Sequence, residues 1–117
     1  MTESMITIYG IKNCDKCRAA QKWFAGRDID FTFHDLRVNG LSEGLYKNWQ
    51  KTFDDGRLLN RRSQTWRSIP KAERENLTVS TERELALRYP TLVKRPIVAS
   101  DTDLRVGYDE AAWEDLL

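Results

Sequence analysis

Residues 6–24 read Ile-Thr-Ile-Tyr-Gly-Ile-Lys-Asn-Cys-Asp-Lys-Cys-Arg-Ala-Ala-Gln-Lys-Trp-Phe. Ile6 and Ile8 alternate with Thr7 and Tyr9, the period-2 pattern of a short strand. Gly10 breaks that run. From about Asp15 the spacing turns helical, with Cys17, Ala20 and Phe24 at i, i+3 and i+7. The stretch is thus a strand, a loop and a helix, and Cys14 stands where the loop hands over to the helix. The first N–H groups of a helix have no partner inside it, and the helix dipole favours negative charge there. A thiolate at this place is stabilised, and its pKa falls from about 8.5 into roughly the 3.5–7.5 range of activated cysteines. Cys17 lies on the same helical face, within reach of a disulfide to Cys14.

The bulk composition narrows the class. The chain has 117 residues, enough for one domain with its own core. Hydrophobic residues make up 40% and charged residues 32%, the balance of an ordinary globular protein. Nineteen basic residues face 18 acidic ones, for a net charge of +1, which argues against a surface that coats nucleic acid. No apolar run approaches the length of a membrane span. Met1–Ser4 has neither a basic region nor an apolar one, so it does not read as a secretory signal, and residues 1–4 are expected to be a disordered lead. Two cysteines three apart are not the framework of a disulfide-stapled secreted fold. A reducing cytoplasm is the expected setting. Zinc takes four ligands, and two cysteines with one histidine fall short, so no metal site is expected.

Outward from the first helix, Gly26 is expected at its C′ position. Ile29–His34 reads as a second strand, pairing parallel with the first. Ser42 caps a second helix, with Leu41 and Tyr46 placed as a hydrophobic staple and Leu45, Trp49 and Phe53 as its inward stripe. Leu58–Ser63 reads as a loop, Thr65–Ile69 as a brief helix, and Pro70 as the N1 residue of another segment. Thr81 with Glu84 forms a capping box for a helix through Tyr89, which Pro90 stops. Ile97–Ala99 and Leu104–Val106 make a hairpin, and Asp109 caps a last helix with Ala112, Trp113 and Leu116 inward. The order is β-α-β, a helical stretch over about 42–90, then β-β-α. A four-stranded mixed α/β sheet flanked by helices, with C-x-x-C beside β-α-β, is the thioredoxin-like, glutaredoxin-type architecture.

Five stretches also carry a family resemblance: residues 8–15 (Ile-Tyr-Gly-Ile-Lys-Asn-Cys-Asp), 33–41 (Phe-His-Asp-Leu-Arg-Val-Asn-Gly-Leu), 58–62 (Leu-Leu-Asn-Arg-Arg), 65–67 (Thr-Trp-Arg) and 94–97 (Lys-Arg-Pro-Ile). Together they resemble the ArsC/Spx/YffB family, nearest its YffB branch, from Met5 to Leu117. The resemblance implies a thioredoxin-like fold with a helical insertion between the second and third strands. It implies a glutathione-dependent thiol reductase, with glutathione as co-substrate and no bound cofactor. Arsenate reductases of this type surround the oxyanion with three arginines. One matches Arg95, one falls at or beside Asn60 with Arg61 and Arg62 next to it, and the third falls at Gly107. A dianion held by fewer arginines loses charge-assisted bonds worth about 1.5–3 kcal/mol each, so efficient arsenate reduction is not expected. Were arsenate the substrate, glutaredoxin would be the expected partner. Spx-type regulators share the C-x-x-C and bind the C-terminal domain of the RNA polymerase α-subunit, which is the alternative reading.

The candidate site follows. Cys14 is the nucleophile, and Cys17 either resolves its disulfide or packs as a small apolar group. Arg95 is the expected partner of the thiolate. Lys12 and Asn13 flank the nucleophile, and Lys12 can meet the thiolate or a glutathione carboxylate. The resemblance implies a cis Pro96 that brings the Arg95–Pro96 backbone against Cys14 and shapes a groove for glutathione. Arg61, with Arg62 and Arg67, is a rim for anionic substrate or a solvated face. His34 reads as a hydrogen-bonded structural residue, and the four tryptophans as core. No membrane and no direct nucleic-acid contact is expected.

Overall fold

A computed structural model describes residues 5–117; the expected disordered lead, residues 1–4, lies outside it. The elements in order are β1 (Ile6–Gly10), α1 (Asp15–Gly26), β2 (Phe31–Asp35), α2 (Glu43–Gln50), α3 (Gln64–Ser68), α4 (Lys71–Arg74), α5 (Val79–Arg88), a 3-10 turn (Pro90–Leu92), β3 (Ile97–Ala99), β4 (Leu104–Val106) and α6 (Glu110–Glu114). The chain packs as two compact units. One runs up to Asn39 and resumes with Arg95–Leu117; the other is Gly40–Lys94.

The first unit holds the whole sheet, in the order β2-β1-β3-β4. β1 and β2 are parallel, with Ile6 opposite Phe31 and Gly10 opposite Asp35. β1 and β3 are antiparallel, as are β3 and β4. This is the mixed sheet expected from the element order. One sheet face presents Ile6, Ile8 and Val98, and against it pack Ala20 and Phe24 of α1 and Trp113 of α6. Phe24 and Trp113 are wholly buried, their ring centroids 5.5 Å apart, and Trp23 meets Trp113 edge-on at 5.4 Å. At the rim Arg27 lies over the Trp23 ring at 4.1 Å and pairs with Glu114 at 2.7 Å, tying the end of α1 to α6.

Some boundaries differ from expectation, each for a local reason. Gly26 is the last residue of α1 rather than its C′ glycine. The left-handed turn falls two residues later, at Asp28 (φ 58°), a residue type that tolerates this region. Ile29 gives its N–H to Phe24 O and so stays out of β2, which instead reaches Asp35.

In the second unit Ser42 caps α2 as expected, accepting from Leu45 N–H. The helix stops at Gln50, short of Phe53. Its buried residues are Tyr46, Trp49 and Gln50, because the Gln50 amide donates to Val79 O and accepts from Arg83. The capping box of α5 lies one turn earlier than expected: Thr78 is the cap and Thr81 its N3 partner, leaving Glu84 exposed. Pro70 caps α4 from outside instead of opening it. Leu58–Ser63 is more than a loop, since Leu59 bridges Val93, Asn60 N–H donates to Leu92 O and Lys94 N–H to Leu58 O. Among the described residues, no helix is long and apolar enough to cross a membrane.

Candidate functional site

The site grows from the ends of β1 and β2. After Gly10 the chain turns through Ile11, Lys12 and Asn13, and Cys14 becomes the N-cap of α1 in an extended conformation (φ −119°, ψ 122°). Two contacts hold the turn. Lys12 N–H donates to Asp35 Oδ2 at 3.0 Å, and Lys12 O accepts from Arg18 Nη1 at 3.4 Å. Arg18 itself pairs with Asp15 on the first turn of the helix.

Both thiols are free, Cys14 half-buried and Cys17 fully buried. Their environments drive them apart. Burial raises the Cys14 thiol, but the Cys17 N–H, the Cys17 thiol and the Arg95 guanidinium, as donor and as charge, outweigh it, so the net pKa is lowered. No complete capping hydrogen bond forms at Cys14, so the Cys17 N–H acts on the sulfur as a nearby dipole of the helix start. Cys17 is pushed up to about 12, first by burial and then by the neighbouring Cys14 sulfur, against a single backbone donor from Ile11 and the charge of Arg95. One thiol is prepared to ionise, and the other is kept protonated as its donor.

Cys17 fits there because position 10 has no side chain. A Cβ on Gly10 would overlap the Cys17 sulfur and lie 3.1 Å from its Cβ. The Arg95–Pro96 peptide is cis and is followed at once by β3, whose Ile97 pairs with Tyr9 of β1. Pro96 is buried, and its carbonyl accepts from Gly107 N–H at 2.8 Å. Gly107 is itself buried and left-handed (φ 86°), a conformation that disfavours any side chain.

The structure therefore relates Cys14, Cys17 and Arg95, the last joined to Pro96 by a cis bond. Lys12 and Asn13 are exposed in the turn; the cation acting on the Cys14 sulfur is Arg95, while Lys12 contributes its main chain. Arg61 belongs to the Gly40–Lys94 unit, where its guanidinium lies 5.4 Å from the Trp66 ring, with Arg74 at 5.8 Å. The His34 ring lies 5.0 Å from that of Tyr9, tilted at 49°. Of the tryptophans, Trp49 and Trp113 are core, and Trp23 and Trp66 are half-buried. Among the described residues no group of three His, Cys, Asp or Glu side chains is set to hold a metal ion.

Sequence reasoning missed Asp35. It lay one residue past the expected end of the second strand, within the family-like stretch 33–41, yet it is 7% exposed, and its carboxylate collects three backbone donors: Lys12, Arg37 and Val38. A polar residue closing a strand opposite a glycine was the available signal.

The ArsC family pattern matches residues 9–116, nearly the whole chain. The chain belongs to the ArsC family. An arsenate reductase (ArsC) related protein of Brucella melitensis, solved in solution, is 39% identical with a TM-score of 0.79, over 98% of this chain and 96% of that one. A solved protein named YFFB has a TM-score of 0.89 at 27% identity, over 94% and 96%. The global transcriptional regulator Spx of Listeria innocua is 29% identical over 91% of this chain and 82% of its own. At the level of the ArsC family the chemistry is that of a thiol oxidoreductase, and the thioredoxin-like fold is shared with these structures.

Proposed function

We propose that this ArsC-family chain is a glutathione-dependent thiol-disulfide oxidoreductase with Cys14 as nucleophile. The observation that carries the reading is the half-buried Cys14 sulfur at the start of α1, held below its ordinary pKa with the Arg95 guanidinium as donor. In the proposed cycle the Cys14 thiolate attacks one sulfur of a disulfide RS–SR′. The S–S bond breaks, RS⁻ leaves and takes up a proton, and Cys14 is left in a mixed disulfide with R′S. A glutathione thiolate then attacks the outer sulfur. GS–SR′ leaves and Cys14 returns as thiolate, so that RS–SR′ and one glutathione have become RSH and GS–SR′. A second glutathione converts GS–SR′ to R′SH and glutathione disulfide.

Glutathione suits the resolving role better than Cys17, whose burial opposes ionisation even once the Cys14 charge is gone. In the same reading the exposed Lys12 and Asn13 and the Arg95–Pro96 backbone receive the carboxylates and the peptide of glutathione. The reading assumes a reducing cytoplasm, which keeps both thiols reduced. Arsenate is the weaker substrate, because Gly107 offers no guanidinium to a dianion. The test is glutathione-dependent reduction of hydroxyethyl disulfide. Wild type and Cys17→Ser should turn over and Cys14→Ser should not; equal rates for wild type and Cys14→Ser would overturn the reading.

A second reading, a redox-sensing regulator, draws on the Cys14–Cys17 pair and on the Spx relative. It requires that the chain capture the C-terminal domain of the RNA polymerase α-subunit, with different affinity under oxidising and reducing conditions. Absence of capture in both conditions removes it.

A further inference from the structure

β1 and β2 end side by side, Gly10 opposite Asp35, and there the two chains part. One runs into the 11–14 turn and Cys14; the other into the turn after Leu36. A single carboxylate holds both departures. Asp35 Oδ1 accepts from Arg37 N–H at 2.8 Å and Val38 N–H at 3.1 Å, while Oδ2 accepts from Lys12 N–H at 3.0 Å. The Asp35 backbone is fixed in turn, its N–H donating to Asn39 Oδ1 at 2.9 Å, and Leu36 N–H donates to Gly10 O at 2.8 Å. Lys12 stands two residues before Cys14. Its N–H is held by Asp35 and its carbonyl by Arg18, so both backbone polar groups of Lys12 are tied.

We propose that Asp35 is the positioning residue for Cys14: through the Lys12 N–H it sets the turn that holds the Cys14 sulfur against Arg95 and the start of α1. The inference rests on the reading of Cys14 as an activated thiol. Asp35 touches no reacting atom and acts through the backbone.

Charge and position make opposite demands here, which gives the test its edge. A carboxylate acting on Cys14 by charge alone would disfavour the thiolate, so its removal would lower the Cys14 pKa. A carboxylate acting through the turn favours the thiolate by keeping its donors in place, so its loss should raise that pKa. Asp35→Asn preserves shape. Its amide oxygen can serve Arg37 and Val38, but its NH₂ then meets the Lys12 N–H, donor against donor.

The experiment is the pH profile of Cys14 alkylation in wild type and Asp35→Asn, with folding checked by circular dichroism. Asp35→Asn should shift the profile upward by about one unit, roughly tenfold less thiolate at a given pH below it. A folded Asp35→Asn protein whose profile is unmoved or shifted downward would overturn the proposal. A wild-type profile at the ordinary cysteine value would instead remove the reading on which it rests, so the two failures are distinguishable. Should the variant not fold, amide exchange in the wild type decides. The Lys12 amide must be protected relative to an unbonded loop amide, and exchange at the unbonded rate would defeat the proposal.

Discussion

The Arg95 guanidinium lowers the pKa of the Cys14 thiol, linking the residue that caps α1 to the residue that leads into β3. The two are far apart in the chain and meet because β3 lies beside β1 in the sheet. From this relationship the reactivity of the site can be forecast. Arg95→Ala removes both a charged donor and a cation. The Cys14 alkylation profile should move up by about one unit, solvent at the half-buried sulfur screening part of the charge. Arg95→Lys should recover part of the shift, since the charge remains and the fork does not. Profiles that coincide for wild type and Arg95→Ala would show that the helix start alone sets the pKa.

Cys17, held up at about 12 and fully buried, should be inert while the fold is intact. Iodoacetamide at pH 8 should label one thiol per native chain and two in denaturant, counted by mass spectrometry. Two labels on the native chain would mean that Cys17 is open to reagent.

Gly10 is required by its neighbour's sulfur. Gly10→Ala should destabilise the chain by about 1–3 kcal/mol, the usual cost of overpacking. Combining it with Cys17→Ala removes the overlapping atom, so the double variant should be more stable than the sum of the single effects. The cycle is read from denaturant midpoints, and strict additivity would contradict the overlap.

Asp35 makes a pH-dependent contribution to stability. Burial raises its carboxyl, but the backbone N–H groups of Arg37, Val38 and Lys12 and the charge of Arg37 outweigh this and leave it below the ordinary value. A depressed folded pKa stabilises in full above the unfolded value, about 3.9. The contribution is lost as pH falls through the folded value. The urea midpoints of wild type and Asp35→Asn should therefore differ most above pH 5 and converge as pH falls below the unfolded value. A gap that is constant over that range would assign the effect to packing.

In the Gly40–Lys94 unit the buried Tyr46 hydroxyl donates to Glu82 Oε2 at 2.5 Å, and the phenol is pushed above its ordinary pKa by burial and by that carboxylate. Tyr46→Phe leaves Glu82, 3% exposed, without this donor. The expected loss is about 1–3 kcal/mol in denaturant melts. A neutral substitution would show that another group or water satisfies the carboxylate.

Much of the molecule could be read residue by residue. The alternation at Ile6 and Ile8, the Cys17-Ala20-Phe24 stripe, the Ser42 cap and the β3–β4 hairpin are local signals. Local signals survive because strand and helix periods are set by backbone geometry within a few residues. What failed failed for the same reason. α5 is capped at Thr78 because two threonines bond each other there, while Thr81 and Glu84 match the standard spacing equally well. Gln50 is buried because its side-chain amide bonds Val79 and Arg83, which lie about thirty residues on.

The order of the elements, the place of Cys14 before a helix and the absence of a side chain at positions 10 and 107 are written in the chain itself. That the Cys14 thiol is lowered and the Cys17 thiol raised was decided by the folded molecule. A thiol's ionisation depends on who donates to it and how much water remains. Here the groups acting on Cys14 are Arg95, brought in by strand order, and the N–H and thiol of Cys17 at the start of α1. No spacing along the sequence encodes those distances.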